Sequence, residues 1–182
     1  MNESIPLSQK LYLLGINPEK GGIISASHTA MDYVLVGSLF LELYQNKNIV
    51  FDNKRIVIKE SKSGIALHQF LLDKMSKSKK QLKISRWIQK LYYSLKHIRK
   101  EIQQGLVEKR IIRMQPKHFL FFKWEKPILV NKQVVYKLVA EIEKQVFNGS
   151  ANEDEIILWS FLKPAGLLNR IFPERQKRKL AK

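Results

Sequence analysis

The sequence predicts a mainly α-helical class: one compact helical domain carrying two β-hairpins. Three observations lead there. Most apolar residues recur at three- and four-residue spacing, the period of a helix with one buried face. Two short stretches instead gather β-branched and aromatic residues on either side of turn-forming residues. Finally, a helix followed by a hairpin at residues 39–60 is echoed at 98–125, an offset of about 62 residues. That echo makes the pattern a winged-helix-like helix-hairpin repeat. With 182 residues and 45% hydrophobic content, the chain can bury one ordinary core. The expected domain covers residues 1–172, and 173–182 form a basic, disordered tail.

Leu7–Gly15 reads as a short helix whose Leu7, Leu11 and Leu14 share a face, closed by Gly15 and Asn17-Pro18. A loop with Gly21-Gly22 follows. Residues 30–44 form a strongly apolar helix with Val34, Leu35, Leu39 and Leu43 inward and Gly37 allowing close helix approach. Ile49-Val50-Phe51, the turn Asp52-Asn53-Lys54 and the alternating residues 55–59 make the first hairpin. A Lys/Ser-rich linker leads to a helix over 65–75. After a polar break, a long basic helix is expected over 82–105. Ile111-Ile112 then opens the second hairpin, with its turn at Gln115-Pro116-Lys117 and its return strand over 118–125. Pro127 interrupts the chain. Residues 131–147 form an amphipathic helix on Val134, Val135, Leu138, Ile142 and Val146, closed by Asn148-Gly149-Ser150. A last helix over 153–162 begins after Asn152, with Glu153, Asp154 and Glu155 at its positive end, and stops before Pro164.

Charge is the strongest functional signal. The net charge is +17. Ten Lys and Arg lie between Lys74 and Lys100 with no Asp or Glu among them, and residues 170–182 add six more against Glu174. Inside the first stretch, Ile84, Ile88, Leu91, Leu95, Ile98 and Ile102 alternate spacings of four and three. One face is built for burial and the rest carries unopposed positive charge, the surface a polyanion would meet. Lysine-rich usage following from an A+T-rich genome is the competing explanation. The candidate phosphate contacts are Lys96 and Arg99, three residues apart, with Tyr92 one turn earlier. The same strip, read without a ligand, simply solvates a helix flank.

Catalytic patterns are missing from the sequence, and the protein is read as no enzyme. His28, His68, His97 and His118 fall on four different elements, and no pair has ligand spacing. Glu141 and Glu143 point apart on a helix. No cofactor or metal is expected. The absence of cysteine fits a reducing cytoplasm. No secretory signal is visible in Met1–Lys10, and the apolar stretch 33–43 is too short to span a bilayer.

Several segments in register resemble the Golgi phosphoprotein 3 family. The most specific is the run His97-Ile98-Arg99-Lys100-Glu101-Ile102-Gln103-Gln104-Gly105-Leu106-Val107-Glu108-Lys109, followed by Phe119-Leu120-Phe121-Phe122. Leu13-Leu14-Gly15 and Gly37-Ser38-Leu39-Phe40-Leu41-Glu42-Leu43 match the family's opening helices. The resemblance implies a peripheral membrane protein of mainly helical fold that binds phosphatidylinositol 4-phosphate. It also implies a β-hairpin, mapped here to about residues 107–122, that supports self-association and dips into the bilayer. On that mapping, Ile111, Ile112, Phe119, Phe121 and Phe122 are the membrane-facing or oligomerising residues; packing of one hairpin face on the core is the alternative. Two basic positions of the family pocket fall on Lys96 and Arg99. Its tryptophan falls near Ser27 and a third basic position on Val36, so half the donors differ. The arginine-rich leader of eukaryotic members has no counterpart, and the chain ends early, as in a short, divergent bacterial member.

The leading expectation is therefore a peripheral, cytoplasmic protein with anionic membrane lipids as partners and a homo-oligomeric state within reach. The alternatives are a winged-helix-like nucleic-acid-binding protein, disfavoured because helix 30–44 is too apolar for a groove, and a non-catalytic interaction module.

Overall fold

The computed structural model describes residues 5–24, 28–148 and 153–168. Among them, seven α-helices and two antiparallel hairpins follow one another: α1 (Leu7–Gly15), α2 (His28–Gln45), β1 (Ile49–Asp52), β2 (Arg55–Ile58), α3 (Ala66–Ser76), α4 (Ile84–Lys90), α5 (Leu95–Glu108), β3 (Ile112–Phe119), β4 (Phe122–Leu129), α6 (Lys132–Asn148) and α7 (Glu153–Leu162). The class is mainly α, as the periodicity indicates. The tail over 173–182 and the Asn148-Gly149-Ser150 closure extend beyond the described residues.

α1 is the axis of the core. Leu11, Tyr12, Leu13 and Leu14 are all essentially inaccessible, so the helix is buried around its circumference and not on one face. It packs against α2, α5, α6 and α7. A helix that short is marginal alone, so its stability comes from these neighbours. Two glycines permit the approach. A Cβ at Gly15 would strike Met31 of α2, and one at Gly105 would strike Gln9 of α1. Gly37 does the same for α7, whose Phe161 would lie 3.2 Å from an added Cβ.

The first hairpin pairs Ile49 with Ile58 through Asp52 with Arg55. Its two turn residues, Asn53 and Lys54, have φ of 47° and 64°, the positive values that a two-residue loop of matching twist requires. The following polar segment returns along it: Ile56 N–H donates to Leu82 O at 2.9 Å, and Arg55 Nη1 to Gln81 O at 2.8 Å.

The long basic helix is two helices. α4 ends at Lys90, and a 3₁₀ turn over Tyr92–Ser94 intervenes before α5. The buried positions are Trp87, Leu91, Ser94, Ile98, Ile102 and Leu106, while Ile84, Ile88 and Leu95 are only half-buried. Burying the Trp87 indole rotates α4 away from the face that Ile84 and Ile88 would set. The tighter 3₁₀ turn, with Ser94 N–H on Leu91 O at 2.7 Å, absorbs the mismatch. α5 also runs beyond Gly105 to Glu108. It ends through Arg110, at φ 55°, with Ile111 N–H returning to Leu106 O at 3.0 Å, a Schellman-type close without glycine.

The second hairpin differs from the expected one in register. Gln115-Pro116-Lys117 is strand, and the turn is Leu120-Phe121, with Ile112 opposite Leu129 and Phe119 opposite Phe122. Pro116 and Pro127 are tolerated because each strand of a two-stranded sheet is an edge, where a missing N–H can face outward. Pro127 thus continues β4, and its carbonyl accepts from Gly22 N–H at 2.7 Å. The helix-then-hairpin order does repeat, but as two separate two-stranded sheets of unequal length. α2 is largely core, with Val34, Leu35, Val36, Leu39, Phe40 and Leu43 buried. The winged-helix likeness goes no further than that order.

Candidate functional site

Two surfaces carry the candidate residues. The first lies where α5 crosses α2. Lys96 and Arg99 leave α5 one turn apart, and Arg99 reaches Asp32 of α2, its Nη2 2.5 Å from Oδ1. The pair is partly sheltered, with side-chain exposures of 29% and 19%. Beneath it, Gln103 Nε2 donates to the Tyr12 hydroxyl. Burial pushes the Tyr12 phenol above its ordinary pKa; the Gln103 hydrogen bond and the Arg99 charge act against that rise. The strip is thus an ordered polar seam in which a carboxylate already occupies the guanidinium. Lys96, in contrast, is exposed.

The other sequence candidates separate. Tyr92 is exposed but sits in the 3₁₀ turn, so it shares no continuous helical strip with Lys96. Val36 is 0% exposed and is a core residue. Ser27 is outside the described residues. Asp32 was not legible as a partner by spacing along one helix, since it comes from another. The available signal was that Asp32 lies one turn before Val36, on the face already assigned to the pocket, and is the one acid between Lys20 and Leu41.

The second surface is the hairpin β3–β4. Its base is core: Ile111, Ile112 and Leu129 are buried. Ile111 and Ile112 therefore anchor the hairpin and are not available to a membrane or a second copy. Its end is the opposite. Phe119 is 65% exposed, Leu120 75%, Phe121 96% and Phe122 72%. Four consecutive apolar side chains stand in water at the end of a ribbon eight residues long on each side. Behind them come Lys117, His118, Lys123 and the half-exposed Trp124, which pair across the strands as His118 with Lys123 and Lys117 with Trp124.

Among the described residues, no group of three or more His, Asp or Glu is placed to hold a metal. No described helix is long and apolar enough to cross a membrane. His68 is buried against Glu42, and His97 lies against Phe70 with ring centroids 4.4 Å apart and planes tilted by 60°. Both serve packing.

The family model for Golgi phosphoprotein 3 (GPP34) matches residues 7–182. The chain belongs to the Golgi phosphoprotein 3 family. The match takes in α1 through α7, and with them the α2–α5 seam and the whole hairpin. In this Golgi phosphoprotein 3 family member, α2 carries both Val36 and Asp32. Val36 is part of the core, and Asp32 pairs with Arg99.

Proposed function

We propose that this protein is a non-catalytic, cytoplasmic peripheral membrane protein that binds anionic phospholipid headgroups of the phosphatidylinositol 4-phosphate kind. Lys96 and Arg99 contact phosphate, with Tyr92 at the edge of the contact. The basic segment 74–100 faces the lipid surface, and the hairpin tip enters the interface or meets a second copy. The observation that carries this reading is the exposed tip Phe119-Leu120-Phe121-Phe122 with Lys117, Lys123 and Trp124 immediately behind it. Apolar side chains at the end, with an aromatic amphiphile and cations one step back, match the depth profile of a bilayer interface. Each Phe or Leu taken from water contributes about 1.5–3 kcal/mol on full burial. Each Lys or Arg at an anionic surface adds about 1 kcal/mol. Residues 1–172 act as a single domain in this reading.

Vesicle co-sedimentation tests it. Vesicles containing phosphatidylinositol 4-phosphate in a neutral background should retain the protein, and neutral vesicles should not. Lys96→Ala/Arg99→Ala should weaken retention by about tenfold or more. Raising salt to about 0.5 M, where the screening length is roughly 4 Å, should release most of it. Equal retention on neutral and anionic vesicles would sink the headgroup assignment.

A further inference from the structure

The cleft between the C-terminal ends of α3 and α4 is lined by Lys74, Lys77, Ser78, Trp87, Lys90 and Leu91 and encloses about 210 Å³. Three lysines line it, and no Asp or Glu does. Lys74 Nζ lies 5.5 Å from the Phe70 ring centroid and Lys90 Nζ 5.3 Å from that of Trp87. A ring face attracts a cation but leaves its charge uncancelled. Among the described residues, none of the three lysines pairs with an Asp or Glu. The Trp87 side chain adds an independent sign. The residue is 4% exposed, and its Nε1–H is shut from water without an acceptor. An indole nitrogen only donates, so the group that would complete it carries an acceptor oxygen.

Lysines also gather at helix C-termini to offset the macrodipole, and that explanation can be weighed. Each helix end carries at most about half a negative charge. Two ends therefore offset roughly one of the three positive charges and leave about two. That remainder is the charge of a phosphate monoester. We propose that this cleft is a second phosphate-binding site, distinct from the Lys96–Arg99 seam, in which Lys74, Lys77 and Lys90 hold the phosphate beside Trp87. Assigning that phosphate to a phospholipid headgroup rests on the membrane reading above; the cleft's chemistry does not.

The test uses the full chain with ¹⁵N-labelled indoles. Trp87, Trp124 and Trp159 give three signals, and the Trp87 signal is identified by its loss in Trp87→Phe. Titration with inorganic phosphate or glycerol phosphate, against chloride at equal ionic strength, should move the Trp87 signal saturably and leave the other two in place. Lys74→Gln/Lys77→Gln/Lys90→Gln should weaken the response by about tenfold or more. Lys79→Gln/Lys80→Gln/Lys83→Gln, the same charge change outside the cleft, should leave it within about twofold. No saturable shift in the parent protein, or equal losses in both triple variants, overturns the site. A second arm measures retention on phosphatidic acid vesicles. A larger loss for the cleft variant than for the control variant supports the headgroup as source. An intact phosphate response without retention on any vesicle keeps the cleft, assigns it to a soluble phosphate compound, and overturns the membrane reading.

Discussion

Arg99 shows how one contact alters a site whose residue types look sufficient. Its guanidinium is a phosphate donor in the proposed function, yet Asp32 already holds it. An incoming phosphate must displace or share that carboxylate, so part of its attraction is spent on replacing an existing anion. Asp32→Asn keeps the shape and removes the competitor. Retention on anionic vesicles should rise by about fivefold, the equivalent of about 1 kcal/mol for one freed cation. Unchanged or weaker retention would show that Asp32 positions Arg99 instead of competing for it. The sequence put Lys96 and Arg99 on one strip because their spacing lies within one helix, and the family resemblance made that strip a candidate. The sequence concealed Asp32 because pairing across elements 67 positions apart leaves no periodic trace. Val36 entered the candidate pocket through the resemblance alone, and its burial follows from the packing of α2.

At the scale of elements, periodicity located the helical segments but merged α4 and α5 into one, and local chemistry misplaced the turn of the second hairpin. Gln115-Pro116-Lys117 has turn chemistry and became strand; Leu120-Phe121 has none and became the turn, with Leu120 at φ 52°. Register was decided at the other end, where Ile112 and Leu129 are both buried. Once those two are fixed opposite each other, the strands meet at Phe119 and Phe122 whatever the turn residues prefer. A positive φ at a bulky residue costs about 1 kcal/mol or more, and a solvated apolar tip adds nothing to folding. Neither feature adds to the stability of the fold. Phe121→Ser/Phe122→Ser should therefore leave thermal stability within about 0.5 kcal/mol of the parent. The same variant should lose vesicle retention or self-association, read by sedimentation and by size-exclusion chromatography. A drop in stability of several kcal/mol would place the tip in a core contact; retention and oligomer size both unchanged would remove the tip from function.

Across the whole molecule, two of the scarce acids do structural work between helices. The chain has 33 Lys and Arg against 16 Asp and Glu. Asp32 holds Arg99, and Glu42 works inside the core. Glu42 Oε1 accepts the Ser8 N–H at 2.6 Å, in the first turn of α1, and Oε2 meets His68 Nε2 of α3 at 2.7 Å. A single buried carboxylate thus joins α1, α2 and α3, and it sits at the positive end of the α1 dipole. Its charge is compensated by oriented donors, which is the condition for burying it at all. Hydrogen bonds to a charged group are worth about 1.5–3 kcal/mol each, and losing the acceptor leaves two buried donors unmatched. Glu42→Ala should therefore lower unfolding stability by about 3 kcal/mol or more, measured by urea denaturation. An exposed acid such as Glu60 replaced by Ala should change it by less than about 0.5 kcal/mol. Because the three helices share one core, circular dichroism and tryptophan fluorescence should report the same midpoint in both proteins. Trp87, Trp124 and Trp159 sample α4, the hairpin and α7, so separated midpoints would divide the chain into independent units and break the single-domain proposal. A Glu42 variant as stable as the parent would instead show that the carboxylate's desolvation cancels its bonds, leaving apolar packing around α1 to hold the fold.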